Sequence, residues 1–552
     1  MNKRTKTCTS QWGASRSNQF VAALVILPLL LVSALLAYNR VNVTTSGPAN
    51  VDGANPSRLV NRLDTSLNRT LENAQQERMP RIAILVPQSD SNAEESYLAE
   101  GLAFEVHNQL LGIPGVELVG RQSIDTVLQQ QLPLPTAAQL LDATHLLRGR
   151  YRRNAHGLAI EMELIAATDA MTSLWTERWP TSVESLAITV QSIAARTLET
   201  LVPDSRKNEE QDTPTPQALD AFLRGKYLAE RYNMDDVLEG LSFFDQAIGI
   251  DPNFDRAYSE KIGALQRMTW VDAGQTKTYN QMIDRVVNDY LSLNRESALT
   301  YRLKSREASL SHRALEAYSL FRQAQQIEPI TYQYDRAFMT DLCKAGYLRR
   351  CLEQAQGLTR ADPLSATAHS ELARAYLMLG DYEPMIEHAR LSSRFGGELG
   401  DYYEAQYLFY LGRIDEAETL YRAAIQPLGI SDDWVSAFLV AYTQPEKTSQ
   451  AISAMTNVDE ESAVWFDLFY VEYILLGEID RAYQAADQLI QQRFKTWSLW
   501  MWDDYTKAFR SDPRFIDIAR RLGYVELWQK LGPPDVCLGD QPDAFCARIN
   551  EE

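Results

Sequence analysis

The sequence lacks the residue patterns of the common enzyme classes. It has only six histidines, and none lies in an HExxH or a comparable zinc-binding motif. It has no GxSxG nucleophile elbow, no Walker phosphate loop, no GxGxxG after a strand and no kinase motif set. Adjacent carboxylates such as Asp503 and Asp504 do not face each other on a helix, so they are ordinary surface charge. We therefore expect no catalytic residues, no cofactor and no metal site.

Positive charge is also scarce. The chain has 54 Lys and Arg against 73 Asp and Glu, which gives a formal net charge of −19 at pH 7. A body of this charge repels nucleic acid and anionic lipid headgroups. We therefore expect no nucleic-acid partner, and a solvated acidic surface is the simplest reading of the charge.

Long hydrophobic runs are absent except for one near the N-terminus. Residues 20–38 contain no charged side chain and would span about 28 Å as a helix, enough to cross a bilayer. Residues 1–19 carry four Lys and Arg and no acid, which places them in the cytoplasm. We expect a single-pass protein of the inner membrane, with its bulk in the periplasm. A cleaved signal peptide is the alternative, but the run is longer than a usual signal core and Leu35 stands where cleavage needs a small residue.

Cysteine is rare, and its placement agrees with this topology. Cys8 would be cytoplasmic and reduced, whereas the other four cysteines would lie in an oxidising compartment. They form two close pairs, Cys343 with Cys351 and Cys537 with Cys546, which are candidate disulfides. The first pair flanks a turn, so its bridge depends on geometry. The pairs lack CxxC spacing, which argues against metal.

The remaining sequence divides into segments that differ in composition and in the periodicity of their apolar residues. Residues 39–78 are a linker whose leucines at 59, 63, 67 and 71 suggest a helical stalk. Residues 79–202 alternate strand and helix signals and end in three strands and a helix, which predicts a small α/β sandwich. A polar, Pro-bounded linker follows at 203–215. Residues 216–531 read as helical throughout, and 532–552 form a C-terminal tail.

The helical part has an internal period. Pro329 and Pro363 are separated by one interval of about 34 residues, and the turn glycines Gly346 and Gly380 are separated by the same interval. Gly412 follows after a slightly shorter interval, and Gly477 after nearly two further periods. Small residues that allow close helix crossing and aromatic residues that fill between pairs recur around these turns. The pattern resembles tetratricopeptide (TPR) repeats and predicts an all-α TPR superhelix of eight or nine units.

Residues 79–202 and their fusion to such repeats resemble the TolB-like amino-terminal domain of bacterial proteins. The matching motifs are Gly101-Leu102, Ile113-Pro114-Gly115, Leu118-Val119 with Arg121, Gly149 with Arg152 and Arg153, and Leu174-Trp175 with Arg178. The family is often fused to a cytoplasmic output domain, but only nineteen residues precede the predicted membrane helix. Val86-Pro87-Gln88 also departs from the family's strand end. The resemblance therefore implies an architecture rather than an activity.

The TPR resemblance places a ligand groove on the first helix of each unit. Aligned on the turn glycines, the groove positions are Gln333, Arg336, Thr340, Ser370, Arg374, Leu377, Tyr402, Gln406 and Phe409. Two arginines among polar and aromatic side chains would suit an extended peptide or a carboxylate, and a merely solvated groove is the alternative.

We expect a non-enzymatic scaffold that binds a protein or peptide partner. The alternative is the sensory ectodomain of a signalling system whose output lies on another protein. The ligand and the oligomeric state stay open.

Overall fold

The computed structural model describes residues 79–551, except 90–95, 155–156, 183, 204–213, 232, 273–274, 329–339, 398, 426–431, 457–465 and 492–500. All the described residues belong to one compact unit. The predicted cytoplasmic tail, membrane helix 20–38 and linker 39–78 lie outside them. Within the described residues, no helix combines the length and apolar character needed to cross a bilayer.

The N-terminal part is built on a mixed sheet. Its strands are β1 (Arg81–Ile84), β2 (Gln88–Ser89), β3 (Glu117–Leu118), β4 (His145–Asn154), β5 (Gly157–Ala166) and β6 (Thr172–Thr181). They lie in the order β3-β1-β4-β5-β6, and β2 also pairs with β4. The pairs around β1 are parallel, whereas β4, β5 and β6 form an antiparallel meander.

Alternation along the strands sends apolar side chains to both faces of this sheet. Helices α1 (Ser96–Leu110) and α4 (Leu186–Leu201) share a core with Ile82 and Leu147 on one face. Helices α2 (Arg121–Gln129) and α3 (Leu134–Leu140) share a second core with Ala83 and Leu146 on the other. The predicted α/β part is confirmed in this coarse form.

We call residues 79–202 the sheet domain and the helices that follow it the array. Beyond the sheet domain, no strand occurs in the described residues. The helices are α5 (Pro216–Ala229), α6 (Met234–Ile250), α7 (Asp255–Val271), α8 (Thr276–Ser292), α9 (Ala298–Leu310), α10 (Ala314–Ile327), α11 (Leu348–Ala361), α12 (Ala366–Leu379), α13 (Tyr382–Arg394), α14 (Leu399–Tyr410), α15 (Ile414–Ile425), α16 (Asp433–Thr443), α17 (Thr448–Thr456), α18 (Phe466–Leu475) and α19 (Ile479–Gln491). Consecutive helices pack as hairpins, α5 on α6, α9 on α10, α12 on α13 and α14 on α15 among them. This is the predicted TPR-like array.

The turn glycines explain how each hairpin closes. Gly346, Gly380, Gly412 and Gly477 all have left-handed backbone conformations, with φ between 71° and 85°. At each turn the glycine N–H bonds the carbonyl three residues back, and the next N–H bonds the carbonyl five residues back. This is the Schellman arrangement, which glycine favours because it has no Cβ.

A fifth turn has the same hydrogen bonds without glycine. His312 stands one repeat period before Gly346 and has φ 59°. Its imidazole Nε2 lies 3.0 Å from the carbonyl oxygen of Ile490. The repeat therefore extends one unit further towards the N-terminus than the turn glycines indicate. His312, which takes the place of the glycine in that unit, also contacts the distal part of the chain.

The sheet domain and the array share one core. Aromatic rings of α5, α6 and the start of α7 (Phe222, Phe244 and Phe254) pack together within the cluster that also contains the α1–α4 face of the sheet. Helix α5 begins at Pro216, after Thr215 caps it by accepting from the N–H of Ala218. Residues 204–213 of the predicted linker lie outside the described part, but the helices on either side pack into the same core.

The chain ends by packing back onto the middle of the array. After residue 500 come α20 (Lys507–Ser511), α21 (Phe515–Arg521) and α22 (Tyr524–Leu531), followed by two short 3-10 helices. The indole N–H of Trp502 donates to the carbonyl of Lys344 at 2.7 Å, and that of Trp528 donates to Ala345 at 2.8 Å. Both rings are buried. This aromatic packing therefore joins the chain end to an earlier unit. The neighbouring Trp497 and Trp500 lie outside the described residues.

Candidate functional site

The structure places six of the nine groove positions on two neighbouring first helices. Ser370, Arg374 and Leu377 lie on α12, and Tyr402, Gln406 and Phe409 lie on α14. Thr340 lies in the short helical stretch before the Gly346 turn. Gln333 and Arg336 are outside the described residues.

Most of these side chains do not face an open groove. Ser370, Arg374, Leu377 and Phe409 are all buried, with Arg374 only 9% exposed. Leu377 packs in a cluster with Met385 and Tyr403, and the Arg374 guanidinium forms an ion pair with the buried carboxylate of Glu371. The Phe409 ring stacks on Phe438. Because of this burial and these contacts, the four side chains lie in the interior of the array and are not accessible to a ligand.

The chain's own C-terminal segment contributes to this burial, because Tyr505 packs against the cluster that contains Leu377. Residues 502–505 contact three consecutive units through Trp502 on Lys344, Asp504 on Tyr382 and Tyr505 on Gln406. The Tyr382 hydroxyl donates to Asp504 Oδ2 at 3.0 Å, and the Tyr505 hydroxyl donates to the Gln406 carbonyl at 3.1 Å. The sequence signal for this contact was the cluster of aromatic residues before Phe509.

A buried acid lies close to Tyr402, another of the groove positions. Glu472 on α18 is 1% exposed and accepts a hydrogen bond from the Tyr421 hydroxyl through Oε1. Its Oε2 has no hydrogen-bond partner among the described residues. Burial raises the pKa of Glu472 to about 8, and it also holds the pKa of Tyr402 and Tyr421 well above the usual tyrosine range. The carboxyl is therefore mostly neutral at pH 7, and sequence spacing gave no sign of it.

A second buried carboxylate joins the array to the sheet domain. The loop after α11 places Asp362 at the start of α2, where its Oδ1 accepts from the backbone N–H of Ser123 at 2.7 Å and from the Ser123 hydroxyl. The same hydroxyl accepts from the N–H of Leu364 at 2.8 Å. The N–H of Gly120 donates to the Ala361 carbonyl at 2.8 Å. We call these contacts between residues 120–123 and 361–365 the joint.

Arg81 adds further hydrogen bonds between the sheet domain and the residues next to the joint. Its side chain is buried, and Nη2 donates to the Arg360 carbonyl at 2.5 Å while Nε donates to the Leu141 carbonyl at 3.3 Å. Its Nη1 also lies 3.5 Å from the exposed carboxylate of Glu117. The first strand of the sheet therefore holds the C-terminal end of α11 through a charged side chain, and the sheet domain is tied to the array at a point far along the chain.

The array also exposes a periodic set of apolar side chains. Leu379 ends α12, Leu411 follows α14, and Val440 and Tyr442 lie at the end of α16. Their exposed fractions are 37%, 48%, 44% and 38% respectively. The rings of Tyr442 and Phe409 lie 4.0 Å apart, which links two of these units. We call these four side chains the apolar row, because they occupy the same end of the first helix in three consecutive units.

The two cysteine pairs are bridged in the structure. The Cα atoms of Cys343 and Cys351 are 5.3 Å apart, and those of Cys537 and Cys546 are 5.6 Å apart. The first bridge spans the Gly346 turn, and the second closes the C-terminal tail that packs near Trp502 and Phe515. In the described part of the chain, no three His, Cys, Asp or Glu side chains lie close enough together to hold a metal ion.

Comparison with known proteins gives structural likeness only. No family model and no curated protein matches the chain. Among solved structures, the Cut9–Hcn1 hetero-tetramer of the APC/C is 13% identical, with 67% of this chain and 84% of that chain covered and a TM-score of 0.27. The P58(IPK) TPR domain is 11% identical, with 60% and 96% covered and a TM-score of 0.18. The Naa15/Naa10 complex bound to HypK-THB is 16% identical, with 58% and 59% covered and a TM-score of 0.20. Because these TM-scores are low, they carry no functional argument, and the description of the array rests on its own helix hairpins and turns.

Proposed function

We propose that the chain is a non-enzymatic scaffold that binds a protein partner through the apolar row of its helical array. The observation that carries this proposal is the recurrence of exposed apolar side chains at one end of α12, α14 and α16. Single exposed apolar residues are common on any protein surface, but a set aligned by the repeat indicates a surface for docking.

The chemistry of the row favours an apolar segment of the partner. Leu379, Leu411 and Val440 have no hydrogen-bonding group in their side chains, and burying the part of each that is still exposed would contribute roughly 1 kcal/mol. Tyr442 adds an aromatic ring with a polar tip, a residue type enriched where partners contact each other. An amphipathic helix whose apolar residues recur along one side would match a row of this kind.

The setting that we propose for this scaffold is the periplasmic face of the inner membrane. The support is the uncharged run 20–38, preceded by a flank with four Lys and Arg and no acid, and the two cysteine pairs, which suit an oxidising compartment. We further propose that residues 79–202 are a TolB-like domain, on the motifs named above and on the order of strands and helices that follows them.

The binding proposal is tested by changing the row without touching the core. Leu411→Ser with Val440→Ser removes two exposed apolar side chains from adjacent units. Leu238→Ser with Ile250→Ser is the matched control, because those side chains, each 48% exposed, lie on α6, outside the row. Partners are captured by crosslinking the full chain in membranes, followed by mass spectrometry. We expect the row variant to lose at least about tenfold of a specific partner, which is the effect of about 1.4 kcal/mol.

Equal partner recovery by the row variant and the control would contradict the proposal.

The membrane setting is tested separately, by cysteine labelling from either side of the membrane at position 8 and at an added cysteine in residues 39–57. Labelling of position 8 only from the cytoplasmic side, and of the added cysteine only from the periplasmic side, is the expected result. The reverse pattern, or release of residues 39–552 as a cleaved product, would overturn the anchored topology.

A further inference from the structure

One half of a face of the sheet is charged and largely exposed. Strands β4, β5 and β6 alternate their side chains between the two faces, and on one face Leu146 and Ile165 join the core with α2 and α3. Further along that face the side chains are polar and lie outside this core. They are Arg148, Arg150 and Arg152 on β4, Glu161 and Glu163 on β5, and Thr176 and Arg178 on β6. We call this set the arginine face.

The arginine face is opposite in charge to the chain as a whole. It carries four arginines against two glutamates, whereas the whole chain has a formal net charge of −19. Arg148 binds Glu163 at 2.8 Å, and Arg178 binds Glu161 at 2.5 Å, so both glutamates of the face already have a partner. A positive surface on an acidic chain attracts acidic groups of another molecule and repels basic ones.

Glu161 lies between two arginines. In the strand register it is opposite Arg150 on one side and opposite Arg178 on the other, but it bonds only Arg178. Arg150 is exposed and has no ion-pair partner among the described residues. The Arg178 guanidinium is 64% exposed and has five N–H donors, so a second carboxylate can bind it beside Glu161. Glu161 would then be available to Arg150, and both arginines would be neutralised.

The arginine face ends at a free edge of the sheet. Strand β6 is last in the strand order, and among the described residues it pairs only with β5. Pro180 has no N–H, and a proline is tolerated in a strand where that position faces away from the neighbouring strand. Because backbone directions alternate along a strand, Thr176 and Arg178 also turn their N–H and carbonyl groups towards the free edge. A further strand can therefore be added beside β6.

We propose that the β6 edge and the arginine face bind an extended acidic segment of a partner protein, which adds to the sheet as a further strand. Every second side chain of such a strand lies on one face, so carboxylates at alternate positions would lie beside Arg178. The free backbone groups select a peptide rather than a nucleic acid or a lipid headgroup. This surface is separate from the apolar row, and the proposal does not depend on the partner proposed for that row.

A second copy of the chain fits this surface less well. Its β6 would bring another Arg178 to the arginine face, and like charges on one face of a strand pair are destabilising. The neighbouring acid of β6, Glu177, does not correct this, because it lies on the opposite face and bonds Arg196 of α4 at 2.6 Å. The charge pattern therefore favours a different, acidic segment.

The test is peptide binding to the full chain in phosphatidylcholine nanodiscs, followed by fluorescence anisotropy. The probe is a labelled peptide of about ten residues, the length of a long strand, in which Glu and Thr alternate. The control probe has Gln in place of every Glu. We expect the acidic probe to bind at least about tenfold more tightly than the control probe, and to weaken as the salt concentration rises.

Arg150→Gln with Arg178→Gln tests the charges of the face. Both side chains are exposed, so the fold should be kept, and we expect the acidic probe to bind about tenfold more weakly. Arg313→Gln with Arg520→Gln is the matched control, because those arginines are 53% and 48% exposed and lie in the array. The control should bind the probe as the wild type does. Equal affinity of the face variant and the wild type would overturn the proposal.

Thr176→Pro tests the addition of a strand. The substitution removes an N–H that faces the free edge, so we expect weaker binding of the acidic probe with β5 still paired. Wild-type affinity in this variant would overturn the proposal. If the variant does not fold, hydrogen exchange of residues 172–181 in the wild type decides, because a saturating probe should slow it and an unchanged rate would contradict strand addition.

Two further measurements separate this surface from other causes. Leu411→Ser with Val440→Ser changes only the apolar row, so it should bind the acidic probe like the wild type, and the two proposals can fail independently. The mass of the chain in detergent is measured by light scattering. A dimer that Arg150→Gln with Arg178→Gln abolishes would assign the face to a second copy and overturn the proposal.

Discussion

Asp362 in the joint and Glu472 in the distal array are both buried carboxyl groups, and their surroundings hold them in opposite ways. Asp362 accepts hydrogen bonds from the backbone and the hydroxyl of Ser123. Glu472 receives one hydrogen bond from Tyr421 and keeps one oxygen without a partner among the described residues. Burial raises the pKa of both acids, to about 8 for Glu472. The difference teaches that Asp362 acts as an acceptor that fastens two parts of the chain, whereas Glu472 is held as a neutral acid.

The largest effect is expected from Asp362→Ala. The substitution leaves two buried donors of Ser123 without their acceptor, and each such group costs about 1–3 kcal/mol. We expect the free energy of unfolding to fall by about 3 kcal/mol in urea titrations. Asp362→Asn keeps an acceptor oxygen in the same place and should cost about 1 kcal/mol. If Asp362→Ala unfolds like the wild type, Asp362 does not fasten the joint.

Glu472→Gln should act in the opposite direction. With a pKa of about 8 in the folded state and 4.5 as the reference value, the folded protein keeps a proton that the unfolded chain has lost. Stability therefore decreases as the pH rises from about 4.5 to 8, and a residue that cannot ionise removes this loss. We expect a gain of about 2 kcal/mol at pH 8 and none at pH 4.5, measured by urea unfolding across this range. Glu383→Gln, at an exposed position, is the control and should keep the wild-type profile.

Gly120→Ala tests how closely the joint is packed. An added Cβ at Gly120 would overlap Cβ and Cγ of Asp362, so the loop must move and its hydrogen bonds to Ser123 weaken. We expect a loss of about 2 kcal/mol, with reduced exchange protection confined to residues 119–126 and 360–370. Gly357→Ala, in α11 with no atom near the added Cβ, should instead stabilise by about 0.5–1 kcal/mol. Loss of stability in both variants would show that the closeness at Gly120 is not the cause.

Glu117→Gln should have the smallest effect. Glu117 is about half exposed and lies 3.5 Å from Arg81, so the ion pair is screened by solvent. The carbonyl contacts of Arg81 with Arg360 and Leu141 remain. We expect thermal unfolding to show a change of at most about 0.5 kcal/mol, as is usual for a solvent-screened ion pair. A cost above about 1 kcal/mol would mean that Glu117, rather than the carbonyls, orients Arg81.

Local elements were predictable because the sequence carries their periodicities. The apolar run at Arg81–Ile84, the alternation in β4 to β6 and the turn glycines each mark structure formed by near neighbours. The turn glycines alone did not reveal one further unit of the repeat, whose turn residue is His312. His312 stands one period before Gly346 in the same backbone conformation, but a histidine with positive φ cannot be recognised by residue type.

The burial of the groove positions could not be predicted in the same way. Their assignment assumed an open array, in which the inner side of each first helix meets solvent. The contacts of residues 502–505 with Lys344, Tyr382 and Gln406 link segments that are far apart in the sequence. The aromatic residues before Phe509 indicate that this segment packs against something, but no local pattern specifies which helices it contacts. The same holds for the joint, whose short loop reads only as the Pro-containing start of a repeat. The apolar row cannot be predicted from the sequence, because a leucine at a helix end is also compatible with ordinary packing.

The joint also has a consequence for the order of events during synthesis. Ser123 and Asp362 are 239 residues apart, and ribosomes add about 5–20 residues per second. The sheet domain is complete once α4 has been made, so it exists for roughly 8–30 s before the loop at Asp362 has been made. During that interval the N–H of Gly120 lacks the Ala361 carbonyl, and the guanidinium of Arg81 has the Leu141 carbonyl but lacks that of Arg360. A nascent chain stalled between the sheet domain and α11 would display an incomplete edge, and this is the stage at which the protein would depend most on a chaperone.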